Sequence, residues 1–420
     1  MTQEKVPIPA VVRKSLELFP PVRAGRKVRA VAYPAGKLTR AMVDEGLFGA
    51  LDLVGVADRA PQEFGGTYGA LPVVPAEGIP ALGPDAVLIC STRFHLSIHA
   101  ELTALLAGSG IDVVDLCRDF QVPRYRDLAG RAERKGFALV DEGPGLLRLR
   151  EPGSPGRSVL ARTEHWTILE WTFRRFDDFF HDILPVTLPS GEQVLDFSRP
   201  GYHTYRASGA RLFTPSVVQP EGLLYQYLDL VHPAPGEVVL DLGAFNGDSA
   251  YHFSKAVGAN GLVVAVEADP VNFQALERNV RELGLANVRM IQAAVWSTDG
   301  MASFQCDGAM SSGLTDGFDF DLEGGSTAPG QSASVRTIRL ETLLREHQLD
   351  RVDVVKIDTE GAELAILVSS MPTLRRLHPR IILEPHANDH PGLIGDMLGV
   401  LAEGGFKAEY LETDNLIVAR

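Results

Sequence analysis

Short apolar runs bounded by polar, Gly or Pro positions recur along the first third of the chain, at 28–33, 51–57, 86–90 and 111–115, and residues 95–106 carry helical spacing. Runs of this length without strict alternation suit strands buried on both faces of a parallel sheet. A longer series begins at 238–242 and continues at 263–267, 288–294, 352–358 and 380–384. Within it, Asp269 and Pro270 read as N-cap and first helical residue, Phe273, Leu276, Val280 and Leu283 share one face, and Gly284 closes the helix. Two extended runs at 406–412 and 415–419, separated by Thr413-Asp414, read as a terminal hairpin.

The pattern predicts an α/β protein: a doubly wound, Rossmann-like C-terminal sheet ending in an antiparallel hairpin, and a second, smaller Rossmann-like domain before it. The implied division is an N-terminal extension (1–27), a Rossmann-like domain (28–120), a connector or cap (121–215) and a nucleoside-binding domain (216–420). In the connector, 151–156 is a turn-rich break and 163–184 a helix candidate bearing Trp166, Trp171, Phe173, Phe176, Phe179 and Phe180. Such a face packs between domains or subunits more readily than it forms a ligand box, which leaves a homo-oligomer open. Short strand signals from 194 to 216, with Tyr202, His203 and Tyr205, stand where a cap over the later site could be built. Residues 306–334 lack a helical period and read as either a mobile active-site loop or a disordered insertion.

Composition narrows the class. At 420 residues and 45% hydrophobic content, two or three well-buried domains are expected. Forty basic against 54 acidic residues leave a net charge of −14, which disfavours nucleic acid and anionic membranes as partners. Arg124, Arg126, Arg131, Arg134 and Lys135 are interrupted by acids and read as a solvated helix face. Three widely spaced cysteines suggest neither a disulfide framework nor zinc, and His95 and His99, one helical turn apart without an intervening acid, read as packing or capping residues. No secretory h-region opens the chain and no run of about 18 apolar residues occurs, so the expected address is cytoplasmic.

The chemistry gathers at strand ends. Val238-Val239-Leu240-Asp241-Leu242-Gly243-Ala244-Phe245-Asn246-Gly247-Asp248 is a strand, a glycine turn and a helix start, and Glu267 ends the next strand. Glycines permit the tight turn, and a carboxylate at that second strand end can accept bonds from two ribose hydroxyls. A dinucleotide loop wants three bare glycines for its pyrophosphate; here Phe245 replaces the middle one, and Asp241 and Asp248 would repel phosphate. The same carboxylates suit an ammonium and a sulfonium, which favours S-adenosylmethionine over NAD. Further on, Asp358 and the Glu384-x-His386 pair stand at the carboxyl ends of later strands, where ligands of open α/β sheets bind. Lys356, on a strand buried on both faces, requires a carboxylate partner.

Asp241-Leu-Gly-Ala-x-x-Gly-Asp248, Glu267-x-x-Pro270, Lys356-Ile-Asp358-x-Glu360-Gly-Ala-Glu363 and Glu384-x-His386, in that order, resemble the FkbM family of S-adenosylmethionine-dependent methyltransferases over about residues 216–420. The resemblance implies methyl transfer to a hydroxyl of a sugar, polyketide or other secondary metabolite, the acceptor being a small molecule or glycan. Carried over by position, Asp241, Gly243, Ala244 and Gly247 line the methionine and ribose, with Asp248 beside them. Glu267, with Ala268, meets the ribose hydroxyls, and Ala293 or Ala294 the adenine.

For the chemical step, alignment contributes up to about 7–11 kcal/mol and a general base about 10²–10⁴-fold. His386 is the first choice as base, supported by Asp358 and Glu384; alternatively Glu384, Asp358 and Glu360 hold Mg²⁺. Two other readings stand beside this one: an NAD-dependent oxidoreductase using the N-terminal domain, whose first turn Tyr33-Pro34-Ala35-Gly36-Lys37 has one glycine, and a nonenzymatic scaffold with degenerate nucleotide folds.

Overall fold

Valine- and leucine-rich runs without alternation do form parallel strands buried on both faces. The computed structural model describes residues 8, 10–19, 27–59, 61, 66–91, 95–117, 122–143, 146–153, 156–162, 166–306, 313–314, 331–386 and 392–420. They fall into two compact units, one reaching to Lys135 and the other built from Gly136–Phe318 and Gly330–Arg420.

The first unit holds a six-stranded sheet in the order Thr67–Tyr68, Leu71–Val74, Asp52–Ala57, Arg29–Tyr33, Ala86–Ile89, Asp112–Asp115. All its pairings are parallel except the short first one. Helix Ala10–Leu18 packs Val12 and Leu16 against Ala30, Ala32 and Leu88, so residues ahead of position 28 are part of this core. His95 opens helix His95–Leu105, buried with Nδ1 2.7 Å from Asp115, whereas His99 is exposed; they are not a ligand pair.

The second unit is built on a seven-stranded sheet, ordered Val288–Gln292, Leu262–Glu267, Val238–Leu242, Val354–Ile357, Arg380–Leu383, Leu416–Ala419, Ala408–Leu411. The first five run parallel, Leu416–Ala419 runs against them, and Ala408–Leu411 pairs antiparallel with it, as the hairpin signal predicts. Leu240, Val264, Val355 and Ile381 bury one face of the sheet under the helices. Strand order reverses between Val238–Leu242 and Val354–Ile357, which opens a crevice at their carboxyl ends.

The connector is more structured than its composition suggests. Val186–Thr187, Gln193–Asp196, Arg157–Arg162, Leu146–Arg150 and Ala138–Gly143 make a five-stranded sheet. The expected aromatic helix is two helices, Trp166–Arg174 and Phe176–Asp182, broken at Arg175. Four of the rings pack inside this unit: Phe173 and Phe176 meet Phe137 edge-on at 5.5 and 4.9 Å, and Trp171 meets Phe179 at 4.9 Å. Of the segment 306–334, the described parts are strands: Gln331–Ile338 pairs with Gly300–Cys306, which also pairs with Gly313–Leu314. The remainder of that segment lies outside the described residues. Among the described residues, no helix is long and apolar enough to cross a membrane.

Candidate active site

The turn after Val238–Leu242 is shaped by close approach. Gly243 has φ +78°, and a Cβ there would lie 1.7 Å from the carbonyl oxygen of Asp358, so only glycine lets the two central strand ends meet. Gly247, at φ +87°, would drive a Cβ to 2.7 Å from Leu276, which is how helix Pro270–Glu282 seats against the turn. Phe245, in place of the middle glycine of a dinucleotide loop, takes φ +48°, and its N–H donates to Glu267 Oε2 at 2.8 Å. Asp269 N–H donates to the other oxygen of Glu267 at 2.8 Å, and Asp269 itself caps the following helix through Val271 N–H. Two backbone bonds thus aim the Glu267 carboxylate, while burial pushes its pKa up to about 8.

The predicted cofactor residues converge. Asp241, Gly243, Ala244, Gly247, Asp248, Glu267, Ala268, Ala293 and Ala294 all lie at or just beyond the carboxyl ends of the three neighbouring strands Val238–Leu242, Leu262–Glu267 and Val288–Gln292. Ala244 N–H donates to Val266 and Ala293 N–H to Glu267, backbone links that knit the strand ends together. Asp248 is buried at the start of helix Asp248–Val257; Oδ1 accepts Ser249 N–H, Oδ2 has no partner among the described residues, and burial raises the group to about 7. Asn246, left open by the sequence, belongs to the framework: its amide reaches Phe213 on the Gly201–Thr204 and Arg211–Thr214 hairpin, which Asn279 also holds by accepting Phe213 N–H at 2.7 Å.

Lys356 has the partners its burial demanded. Its Nζ lies 3.2 Å from Asp241, 3.3 Å from Asp358 and donates to Gly243 O at 2.8 Å. The two carboxylates outweigh desolvation and raise its pKa. Asp358 is thus tied to Lys356 at the carboxyl end of its strand. The turn that follows is held by Glu363, the first residue of helix Glu363–Leu377, whose buried carboxylate accepts the N–H groups of Thr359 and Gly361, each at 3.0 Å.

His386 is hemmed by acids: Nδ1 is 3.1 Å from Glu363, and Nε2 is 3.4 Å from Glu360 and 3.8 Å from Asp358. Burial alone would lower its pKa, but Glu360 and Glu363 overcome it and hold the imidazolium well above the usual histidine range. A ring that holds its proton more tightly than a free imidazole is less available for the expected role of base. Glu384 fits the task better: burial and the charge of Asp358 push it up to about 7. The expected Mg²⁺ set is also altered, since the ligand atoms lying within 4.8 Å of one another belong to Asp358, Glu360 and His386, not Glu384. They would accept a divalent cation only after His386 gave up its proton.

One residue escaped the sequence reading. Tyr227, on helix Glu221–Val231, donates its phenol to Glu384 Oε2 at 3.0 Å across 157 positions of chain. Nothing in that helix's apolar pattern distinguishes Tyr227 from a core aromatic, so only the fold could reveal the pair.

Residues 241–408 match the family described as Methyltransferase FkbM domain. A tRNA (adenine(58)-N(1))-methyltransferase TrmI of Thermus thermophilus is 36% identical over 91 residues, 22% of this chain and 34% of the relative. The chain thus spans about a third of the length of this curated relative. Among solved structures, an FkbM methyltransferase of Methylobacillus flagellatus KT aligns over 98% of this chain and 94% of its own at 13% identity and TM-score 0.34. Aeropyrum pernix fibrillarin, crystallised with natively bound S-adenosyl-L-methionine, aligns over 68% and 97% at 13% identity and TM-score 0.31. Superpositions at this level carry no functional weight.

Proposed function

We propose, from the match of residues 241–408 to the family described as Methyltransferase FkbM domain, that the protein transfers a methyl group from S-adenosylmethionine to the hydroxyl of a sugar, polyketide or other secondary metabolite. The observation that supports this reading is the strand reversal, with the ribose-type carboxylate Glu267 ending a strand on one side of it and Glu384 following a strand end on the other.

The residues present fit the cofactor. Glu267 is aimed by two backbone bonds and keeps lone pairs for a ribose diol; Asp248 holds a buried oxygen without a partner; the first turn offers no cationic side chain that would favour a phosphate. When bound, S-adenosylmethionine supplies an electrophilic methyl on a cationic sulfur. Asp241, Asp248 and Asp358 create the negative field such a cation requires, and Lys356 locks Asp241 and Asp358 in place without neutralising the whole cluster. Glu384 accepts the acceptor hydroxyl's proton. His386, holding its own proton, offsets Glu360 and Glu363 and keeps the acceptor side ordered.

Asp358, Glu360, Glu363 and Glu384 outnumber the single imidazolium among them, which disfavours a phosphorylated or polyanionic acceptor and agrees with the net charge of −14. Titration calorimetry with S-adenosylhomocysteine tests the reading. Wild-type protein is expected to bind, and Glu267→Ala to bind about ten-fold or more weakly, the loss of its ribose hydrogen bonds. Absence of binding to the wild type overturns the reading, and binding of NAD(H) instead would transfer the function to the N-terminal unit.

A further inference from the structure

We propose that Tyr227 is a positioning residue for proton removal: its phenol fixes one oxygen of Glu384 and leaves the other to the acceptor's hydroxyl. The inference rests on the reading of Glu384 as proton acceptor. Tyr227 lies upstream of the family match, on helix Glu221–Val231, which packs on strand Arg380–Leu383 and carries the phenol beneath the strand end that presents Glu384. Its side chain is 5% exposed. Its single hydrogen bond among the described residues goes to Glu384 Oε2, at 3.0 Å, while Glu384 Oε1 has no such partner there.

A carboxylate free to spin about its last torsion presents its lone pairs in many directions. One anchored oxygen leaves the other pointing a single way, which is what removal of a proton along a defined line requires. Tyr227 can serve only as donor in this pair. Burial and the charges of Glu384, Asp358 and Asp248 hold its own proton on at any working pH. The ammonium of Lys356 lies 5.9 Å from the ring centroid, on the cofactor side.

Donation to a carboxylate also favours its ionised form, against burial and the repulsion of Asp358 and Glu360; His386 acts in the same direction as Tyr227. Tyr227 therefore orients Glu384 through a hydrogen bond that favours its ionised form.

The test needs no acceptor. The full chain is labelled with [5-¹³C]glutamate and saturated with S-adenosylhomocysteine, and the Glu384 carboxyl resonance is identified by its loss in Glu384→Gln. In Tyr227→Phe, which keeps the ring and its packing, the titration midpoint of Glu384 is expected to rise by about one to two pH units, the change that loss of one charge-assisted hydrogen bond brings. S-adenosylhomocysteine affinity should stay within about two-fold. An unmoved midpoint with affinity retained reduces Tyr227 to packing and overturns the proposal. Should the variant fail to fold, 3-fluorotyrosine incorporation strengthens the phenol as a donor at constant shape and must lower the midpoint; no movement again overturns it. If the wild type fails to bind S-adenosylhomocysteine, the functional reading fails, whereas the coupling of Tyr227 to Glu384 is still read from the titration.

Discussion

Lys356→Met removes a buried ammonium while nearly conserving its volume. In the native structure that ammonium meets Asp241 at 3.2 Å, Asp358 at 3.3 Å and Gly243 O at 2.8 Å. After substitution Asp241, with no solvent exposure, keeps only the Ser249 hydroxyl at 2.7 Å, and the charge of Asp358 stands nearby with nothing between them. Breaking a buried pair by removing one partner costs about 3–5 kcal/mol, because the remaining charge is stranded. For a unit of this size that corresponds to a fall in Tm on the order of 10 °C. The penalty depends on pH in a defined direction. Asp241 is already raised by burial and rises further without Lys356, so acidification lets it take up a proton and relieves the strain. Denaturant unfolding at pH 8 and pH 5.5 should show the larger loss at pH 8, and adding Asp241→Asn should recover part of it. A loss below about 1 kcal/mol at pH 8, or the same loss at both values, refutes the claim that Lys356 is held by these two carboxylates.

Gly243→Ala should lower S-adenosylhomocysteine affinity by an order of magnitude or more and lower Tm together, since a left-handed residue with a Cβ costs about 1–2 kcal/mol and the new carbon meets the Asp358 carbonyl at 1.7 Å; unchanged calorimetry would contradict the close approach of the two strand ends. Stability of the unliganded protein should fall as pH rises from about 6.5 to 8.5. Asp248, Glu384 and Glu267 have folded pKa values of about 7, 7 and 8, above their unfolded values, so the native state binds more protons in that window and each retained proton tilts stability downward by about 1.4 kcal/mol per pH unit. His386, also raised, acts in the same direction, whereas His203 and His252, lowered to about 4, act only below about 6.5. A Tm that is flat or rising across the window would refute these assignments.

What the linear chain determined follows from short-range physics. Buried strands announce themselves as apolar runs, the Asp269-Pro270 start as a cap, and the Gly243 and Gly247 turn with Glu267 as the frame of a nucleoside site, because each depends on residues within one strand-turn-helix unit. Lys356 could be read as needing a carboxylate, since burial of an ammonium leaves no alternative, but which carboxylates was settled by strand order. The sequence did not reveal that His386 stands among Glu360, Glu363 and Asp358, or that Tyr227 reaches Glu384. Polar groups 3.0 to 3.8 Å apart reset one another's proton affinities, and those neighbours come from separate strands, turns and an upstream helix. Residue types and spacing could locate the strand ends that carry the chemistry. Only their packing into one crevice set which charges stand beside which group and so the direction in which each proton affinity moves.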